Sequence, residues 1–274
     1  MIEYKTPDQL KQMRLAGRVV ATGLAAMKQA AKPGVTTAEL DAVGREVLAS
    51  HGATSSFLNY GAEYGPGFAG VACVSVNDEI VHGVPGDRVI AEGDLVSCDF
   101  GAIVNGWHGD AAVSFIVGEG KSEHQKLVDD TRDVLWAGIA AAKLGNRIGE
   151  ISAAIQSRVR QLRAGYGIVR EYTGHGIGSQ MHMEPDVPNY GRRLSGPKLE
   201  VGMAIAIEPM LVLGDRRTDV LEDEWTVVTR DGNWGAHWEH TITVTKSGIW
   251  VLTAEDGGEE DLNKLGLRFG PLAD

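Results

Sequence analysis

The chain has 274 residues, of which 43% are hydrophobic, and its 26 Lys and Arg against 37 Asp and Glu give a formal net charge of −11. That length suits one large domain or two small ones with a sizeable core, and the acidic balance argues against a phosphate backbone as partner. With two cysteines, Cys73 and Cys98, no basic-then-apolar N-terminal stretch and no apolar run near ~18 residues, a disulfide scaffold, a signal peptide and a membrane span are not expected; a reducing cytoplasm is.

Thr6-Pro7-Asp8 places an N-cap before a proline at the first helical position. Leu10, Met13, Leu15, Val19, Val20 and Leu24 then mark an amphipathic helix that Pro33-Gly34 stops. Thr36-x-x-Glu39 is a capping box opening a second helix, which Gly52 ends. Val71 to Val84 reads as strand, as does Asp94 to Val104. Asn105-Gly106 is a hairpin turn, and Trp107 to Val117 returns.

The pattern then restarts. Ser122-x-x-Gln125 is a further capping box before a helix through Leu127, Val134, Leu135 and Ile139, which Gly145 breaks; Ile148 to Leu162 is another helix. Strands are expected at Met203 to Ile207, Trp225 to Thr229 and Trp238 to Val244. Lys32, Gly34, Glu39 and Leu40 align with Lys143, Gly145, Glu150 and Ile151 at a constant offset of 111 positions. A duplicated α+β unit accounts for this most simply; two helix pairs that merely look alike are the alternative. The expectation is one fused domain over 1–274, with halves of about 1–120 and 121–252 and an acidic, solvated tail from about 255 to 274.

The chemistry lies in five acidic or imidazole positions. If Asn105-Gly106 is the turn, Asp99 faces Ala112, and Asp110 lies two residues from Ala112 on the same face. The two carboxylates are then diagonal neighbours roughly 7–8 Å apart, and such like charges call for a cation between them; a pair of unrelated surface aspartates is the alternative. His175 sits among Gly174, Gly176 and Gly178, with His182 seven residues on. Glycines there let the backbone bring an imidazole close to a ligand, although an ordinary surface loop has the same look. Glu208 follows the apolar run Met203 to Ile207, and Glu239 interrupts another strand. An ionised carboxylate is costly in such surroundings without a metal or a proton. Asp99, Asp110, His175, Glu208 and Glu239 together balance two divalent ions, and the oxygen-rich set suits Mn, Fe, Co or Zn. Two such ions ~3.5–4 Å apart act as a hydrolytic clamp on a bridging water. His82, in Val81-His82-Gly83-Val84-Pro85, is a further candidate or a plain turn histidine.

The segments VHGVPGDR (81–88), CDFGAIVNGWHGDAAVSF (98–115), GHGIGSQMHMEP (174–185), AIEPM (206–210) and WEHTITV (238–244) together resemble the type I methionine aminopeptidases, over about residues 6 to 252. The resemblance implies a pita-bread fold, an α/β (α+β) arrangement of two pseudo-symmetric halves with antiparallel sheet flanked by helices. It implies metal-dependent removal of the initiator methionine from nascent chains, encountered at the ribosome, when the second residue is small. Asp99 would chelate one ion, Asp110 and Glu239 would bridge both, and His175 and Glu208 would complete the other. His82 would contact the substrate backbone, and His182 the developing oxyanion. Glu208 would relay the proton from the bridging water to the leaving amine. Tyr60, Phe68, Cys73, Met181 and Trp225 match the pocket for the methionine side chain, with ordinary core packing as the alternative. Phe68 is less secure, because 62–67 looks like a lengthened loop. Met181 stands where Phe or Leu is commoner, and His237 where Gln often stands. A monomer without nucleic-acid or membrane contacts is expected. A proline-specific aminopeptidase or prolidase on the same fold and a non-catalytic peptide-binding relative are the competing readings.

Overall fold

A computed structural model describes residues 1–272 of the chain. The first half contains α1 (Pro7–Ala30), α2 (Thr37–Ser50), β1 (Thr54–Ser55), β2 (Ala72–Val76), β3 (Glu79–Val81), β4 (Leu95–Val104) and β5 (Trp107–Ile116). The second continues with α3 (Ser122–Ala141), α4 (Ile148–Leu162), β6 (Gly167–Ile168), β7 (Gly174–Gly176), β8 (Met183–Val187), β9 (Ala204–Ile207) and β10 (Met210–Val212). It ends with β11 (Thr218–Val220), β12 (Val227–Thr229), β13 (Gly235–His237), β14 (His240–Val244), β15 (Ile249–Val251) and α5 (Glu259–Lys264). Among the described residues no helix is long and apolar enough to cross a membrane.

Each half packs two helices on antiparallel sheet. In the first, Val20, Leu24 and Met27 of α1 and Leu40 of α2 meet Phe100 and Val96 of β4 in one buried cluster. In the second, Val134, Leu135 and Ile139 of α3 and Ile151 and Ile155 of α4 bury against β9 and β14 of a five-stranded sheet ordered β15-β14-β9-β7-β8. The capping boxes at Thr6/Gln9 and Thr36/Glu39 are both formed. The 111-residue offset extends to geometry: α1 ends at Ala30 and α3 at Ala141, and α2 begins at Thr37 and α4 at Ile148. Thr36 and Arg147, the residues before the second helix of each half, each make an isolated antiparallel bridge. Gly34 and Gly145 take the same left-handed turn, at φ +96 and +85.

Several local expectations need correction. Leu15 is 43% exposed; it lies two positions from buried Met13, about 200° around the helix, and so off the apolar stripe. Ser122 is the first helical residue and not a cap, and no side chain caps α3. Gln125 turns along the helix to Asp129 instead. The continuous strand from Val71 to Val84 is broken, because Asn77 at φ +63 turns β2 away from β3. The last predicted strand begins only at His240, since Trp238 and Glu239 leave the ladder. The tail is no solvated end: Leu262 of α5 is fully buried in the second-half core. The Arg14 guanidinium also donates to the Glu255 carbonyl at 2.6 Å, and to those of Leu252 and Ala254 just before the tail.

The packing of α1 on the segment leading into the tail gives a stability prediction. Gly17 of α1 lies so close to the segment after β15 that an added Cβ would sit 2.0 Å from the Leu252 carbonyl oxygen. Gly17→Ala is expected to destabilise the fold by about 1–3 kcal/mol through overpacking, outweighing the better helix propensity of alanine. A lowered urea midpoint checks this; an unchanged or raised midpoint contradicts it.

Candidate active site and metal centre

The Asn105-Gly106 turn sets the register of β4 against β5. Both residues have positive φ, 52 and 82, as a primed two-residue hairpin turn requires. Asp99 therefore pairs with Ala112, and Gly101 with Asp110, so that the two aspartates share a face. Glu239 reaches them from the other half by leaving its own sheet. Its N–H donates to the Ala112 carbonyl at 2.9 Å, and its carbonyl accepts from the Ala112 N–H at 3.4 Å. Thr241 reinforces the seam, its hydroxyl donating to the Asp110 carbonyl at 2.7 Å and accepting from the Asp110 N–H at 3.2 Å. The break in the predicted strand is thus the joint between the halves. β7 supplies His175, and Glu208 follows β9.

Donor atoms of Asp110, His175 and Glu239 lie within 4.8 Å of one another. His175 Nε2 is 3.4 Å from Glu208 Oε1. His175 Nδ1 lies 2.9 Å from the Gly176 carbonyl oxygen; because a carbonyl only accepts, Nδ1 carries the proton and Nε2 keeps its lone pair. Desolvation pushes the Asp110 carboxyl up to about 7. Desolvation, then the neighbouring carboxylates, hold Asp99 and Glu239 well above the usual range, and Glu208 follows for the same reasons. Burial and the nearby His182 pull His175 down to about 3. Asp99 Oδ1, Asp110 Oδ1 and Glu239 Oε1 are buried atoms with no hydrogen-bond partner. Buried acceptors without donors and crowded like charges are what a bound cation resolves. The residues present therefore fit divalent metal, with two such ions matching the four carboxylates.

All five of these residues line one cavity of about 230 Å³. His82, His182, Tyr60, Phe68, Cys73, Met181 and Trp225 line it too, so every site position expected from the sequence converges there. Phe68, Cys73 and Met181, with Phe57, form a small buried apolar cluster against which Val84 and Trp225 pack. The 62–67 loop leaves Phe68 in place because its ends are tied, Asn59 N–H to the Phe68 carbonyl at 2.8 Å and Phe68 N–H to the Tyr60 carbonyl at 3.0 Å. Trp225 Nε1 also donates to the Pro66 carbonyl at 2.9 Å. His82 follows β3 at φ +59, a conformation uncommon outside glycine, with its ring edge-on to Tyr172 at 5.2 Å. Burial, then His182, lowers it to about 4, leaving it neutral.

The sequence reading missed Phe57, Val81, Tyr172, Thr173 and Met210 as cavity residues. Tyr172 and Thr173 directly precede the Gly174-His175 motif, which was the available signal; Phe57 had none. His237, noted only as an unusual residue, is 2% exposed and has an unpartnered Nε2 3.9 Å from both Glu208 and Glu239.

A carboxylate-rich metal site held between two pseudo-symmetric α/β halves, opening on an apolar pocket, defines a metal-dependent hydrolase. Comparison with known proteins makes the class specific. The sequence pattern of metallopeptidase family M24 matches residues 11–246. Methionine aminopeptidase 1 of Bacillus subtilis is 46% identical over 253 residues, 92% of this chain and 99% of that protein. Methionine aminopeptidase 1 of Mycobacterium tuberculosis is 46% identical over 258 residues, 92% of this chain and 95% of that one. The crystal structure of methionine aminopeptidase from Thermotoga maritima superposes with a TM-score of 0.89 at 42% identity, covering 93% of this chain and all of that one. The chain belongs to metallopeptidase family M24 and, within it, to the methionine aminopeptidases. Prolidase from Pyrococcus furiosus shares the fold alone, with a TM-score of 0.71 at 20% identity, and this chain covers 65% of it.

Proposed function

We propose that the protein removes the initiator methionine from nascent polypeptides whose second residue is small. The observation that carries this reading is the meeting of the acidic cluster and an aromatic- and sulfur-lined wall in one cavity of about 230 Å³. An unbranched thioether fits such a wall by dispersion and sulfur–aromatic contact.

In this reading Asp99, Asp110, His175, Glu208 and Glu239 would hold two divalent ions, Asp99 serving one, His175 and Glu208 the other, and Asp110 and Glu239 contributing to both. When bound, the ions polarise the scissile carbonyl and lower the pKa of the attacking water. The Glu208 carboxylate would take a proton from the attacking water and pass it to the leaving amine nitrogen. His182 donates an N–H to the carbonyl oxygen as negative charge develops there. Neutral His82 hydrogen-bonds the substrate backbone. Tyr60, Phe68, Cys73, Met181 and Trp225 enclose the methionine side chain. Residues 1–274 act as a single catalytic unit, with halves of about 1–120 and 121–252 and the stretch from about 255 to 272 tied onto them. The enzyme works as a monomer in the cytoplasm on N-termini emerging at the ribosome; a net charge of −11 favours the peptide over nucleic acid as its direct contact.

The test is a set of Met-x-Gly peptides with x as Gly, Ala, Leu or Arg. Release of methionine only where x is Gly or Ala is expected, whereas equal release from the Leu and Arg peptides would contradict the small-residue requirement.

A further inference from the structure

His182 and Tyr60 come from opposite halves and both line the cavity. The Tyr60 hydroxyl oxygen lies 2.7 Å from His182 Nδ1, with the rings edge-to-face at 5.2 Å. Tyr60 sits in the turn after β1, 41% exposed, and among the described residues its hydroxyl makes no other hydrogen bond. A phenol hydroxyl is a good donor, and an imidazole nitrogen accepts far better than a phenol oxygen does. The bond therefore runs from the Tyr60 O–H to Nδ1. Desolvation, then Glu63 and Tyr64, hold the phenol above its ordinary range, which keeps that proton on the oxygen.

We propose that Tyr60 is a positioning residue that fixes the tautomer of His182, placing its single N–H on Nε2 for the substrate carbonyl oxygen. A neutral imidazole has one N–H, and the partner of one nitrogen decides what the other offers. With Nδ1 accepting from Tyr60, Nε2 is the donor. With the bond reversed, Nε2 would turn a lone pair toward a developing oxyanion, and the stabilisation would become repulsion. The inference rests on the reading of His182 as the oxyanion donor. It adds that a wall residue of the methionine pocket also sets the state of that donor, so side-chain recognition and carbonyl activation share one residue.

The test uses the full-length enzyme loaded with zinc, 15N-labelled at histidine, with the His182 signals assigned by their loss in His182→Ala. Wild-type His182 is expected to show a protonated Nε2 and an unprotonated Nδ1. Tyr60→Phe keeps the ring and its packing; it is expected to populate the other tautomer and to lower kcat about ten- to a hundredfold, with KM within about threefold. A wild-type Nδ1–H tautomer, readable even if the variant folds poorly, overturns the proposal. So does a Tyr60→Phe enzyme with unchanged tautomer or unchanged kcat. His182→Ala separates the two levels: full kcat in that variant removes the oxyanion role itself, whereas a fall in its kcat beside an unaffected Tyr60→Phe removes only the role of Tyr60.

Discussion

Asp110→Asn is expected to lower kcat/KM by about a thousandfold or more, at the upper end of what one charge-stabilising group contributes, and to reduce the metal bound per chain. The substitution keeps the size of the side chain, so the loss is one of charge and not of packing. Asp110 is 4% exposed, and its donor atoms lie within 4.8 Å of those of His175 and Glu239. The backbone there is clamped by Thr241 from the other half, so an amide has no freedom to swing away and let another carboxylate replace it. An uncharged oxygen at the centre of the cluster leaves the ions under-neutralised. Metal content by elemental mass spectrometry and turnover measured together check this. Near-normal values of both would remove Asp110 from the ligand set.

Removing the metal is expected to make stability fall as pH rises through neutrality. The carboxyls of Asp99, Glu208 and Glu239 are held well above their ordinary range, and Asp110 at about 7. A carboxyl whose folded pKa exceeds its unfolded one favours the native state at low pH, and that advantage is lost as pH rises through the folded pKa. Histidines 82, 175 and 237 work in the opposite sense. Burial depresses them to between about 3 and 4, so their stability is present above the unfolded value near ~6.5 and lost on acidification. The two effects oppose each other below the unfolded histidine value near ~6.5; above it only the carboxyl effect remains, with the Asp110 share lost as pH rises through about 7. Chelated protein is therefore expected to lose melting temperature as pH rises from ~6.5 through about 7. Metal-loaded protein, with its carboxylates ionised and neutralised, is expected to stay flat. Equal, flat profiles with and without metal would mean that the carboxylates are not desolvated together as described.

How much of this was readable beforehand depends on how local the cause is. Asn105-Gly106 sets a hairpin register through the backbone preferences of two residues, so the facing of Asp99 and Ala112 and the shared face with Asp110 were legible. The helices and their repeat were legible for the same reason, since capping and apolar periodicity act within a few residues. Glu239 is the instructive contrast. Its neighbours alternate like a strand, yet its N–H and carbonyl pair with Ala112 in the other half. No local signal records a partner so far away in sequence. The tail reads as acidic and Gly-rich, but Leu262 is buried in the core of the second half, a contact that its own neighbours do not encode. The bond from Tyr60 to His182 joins residues that no spacing rule connects. Val81 and Met210 line the cavity from within quoted segments, whereas Phe57 lies in none and is brought there by packing alone.

The most direct test of the central claim is hydrolysis of Met-Gly-x, Leu-Gly-x and x-Pro peptides by chelated protein, before and after adding back Mn, Co, Fe or Zn. The account predicts no cleavage without metal and release of methionine alone once metal is restored. Cleavage confined to the bond before proline, or silence with every metal, would contradict it.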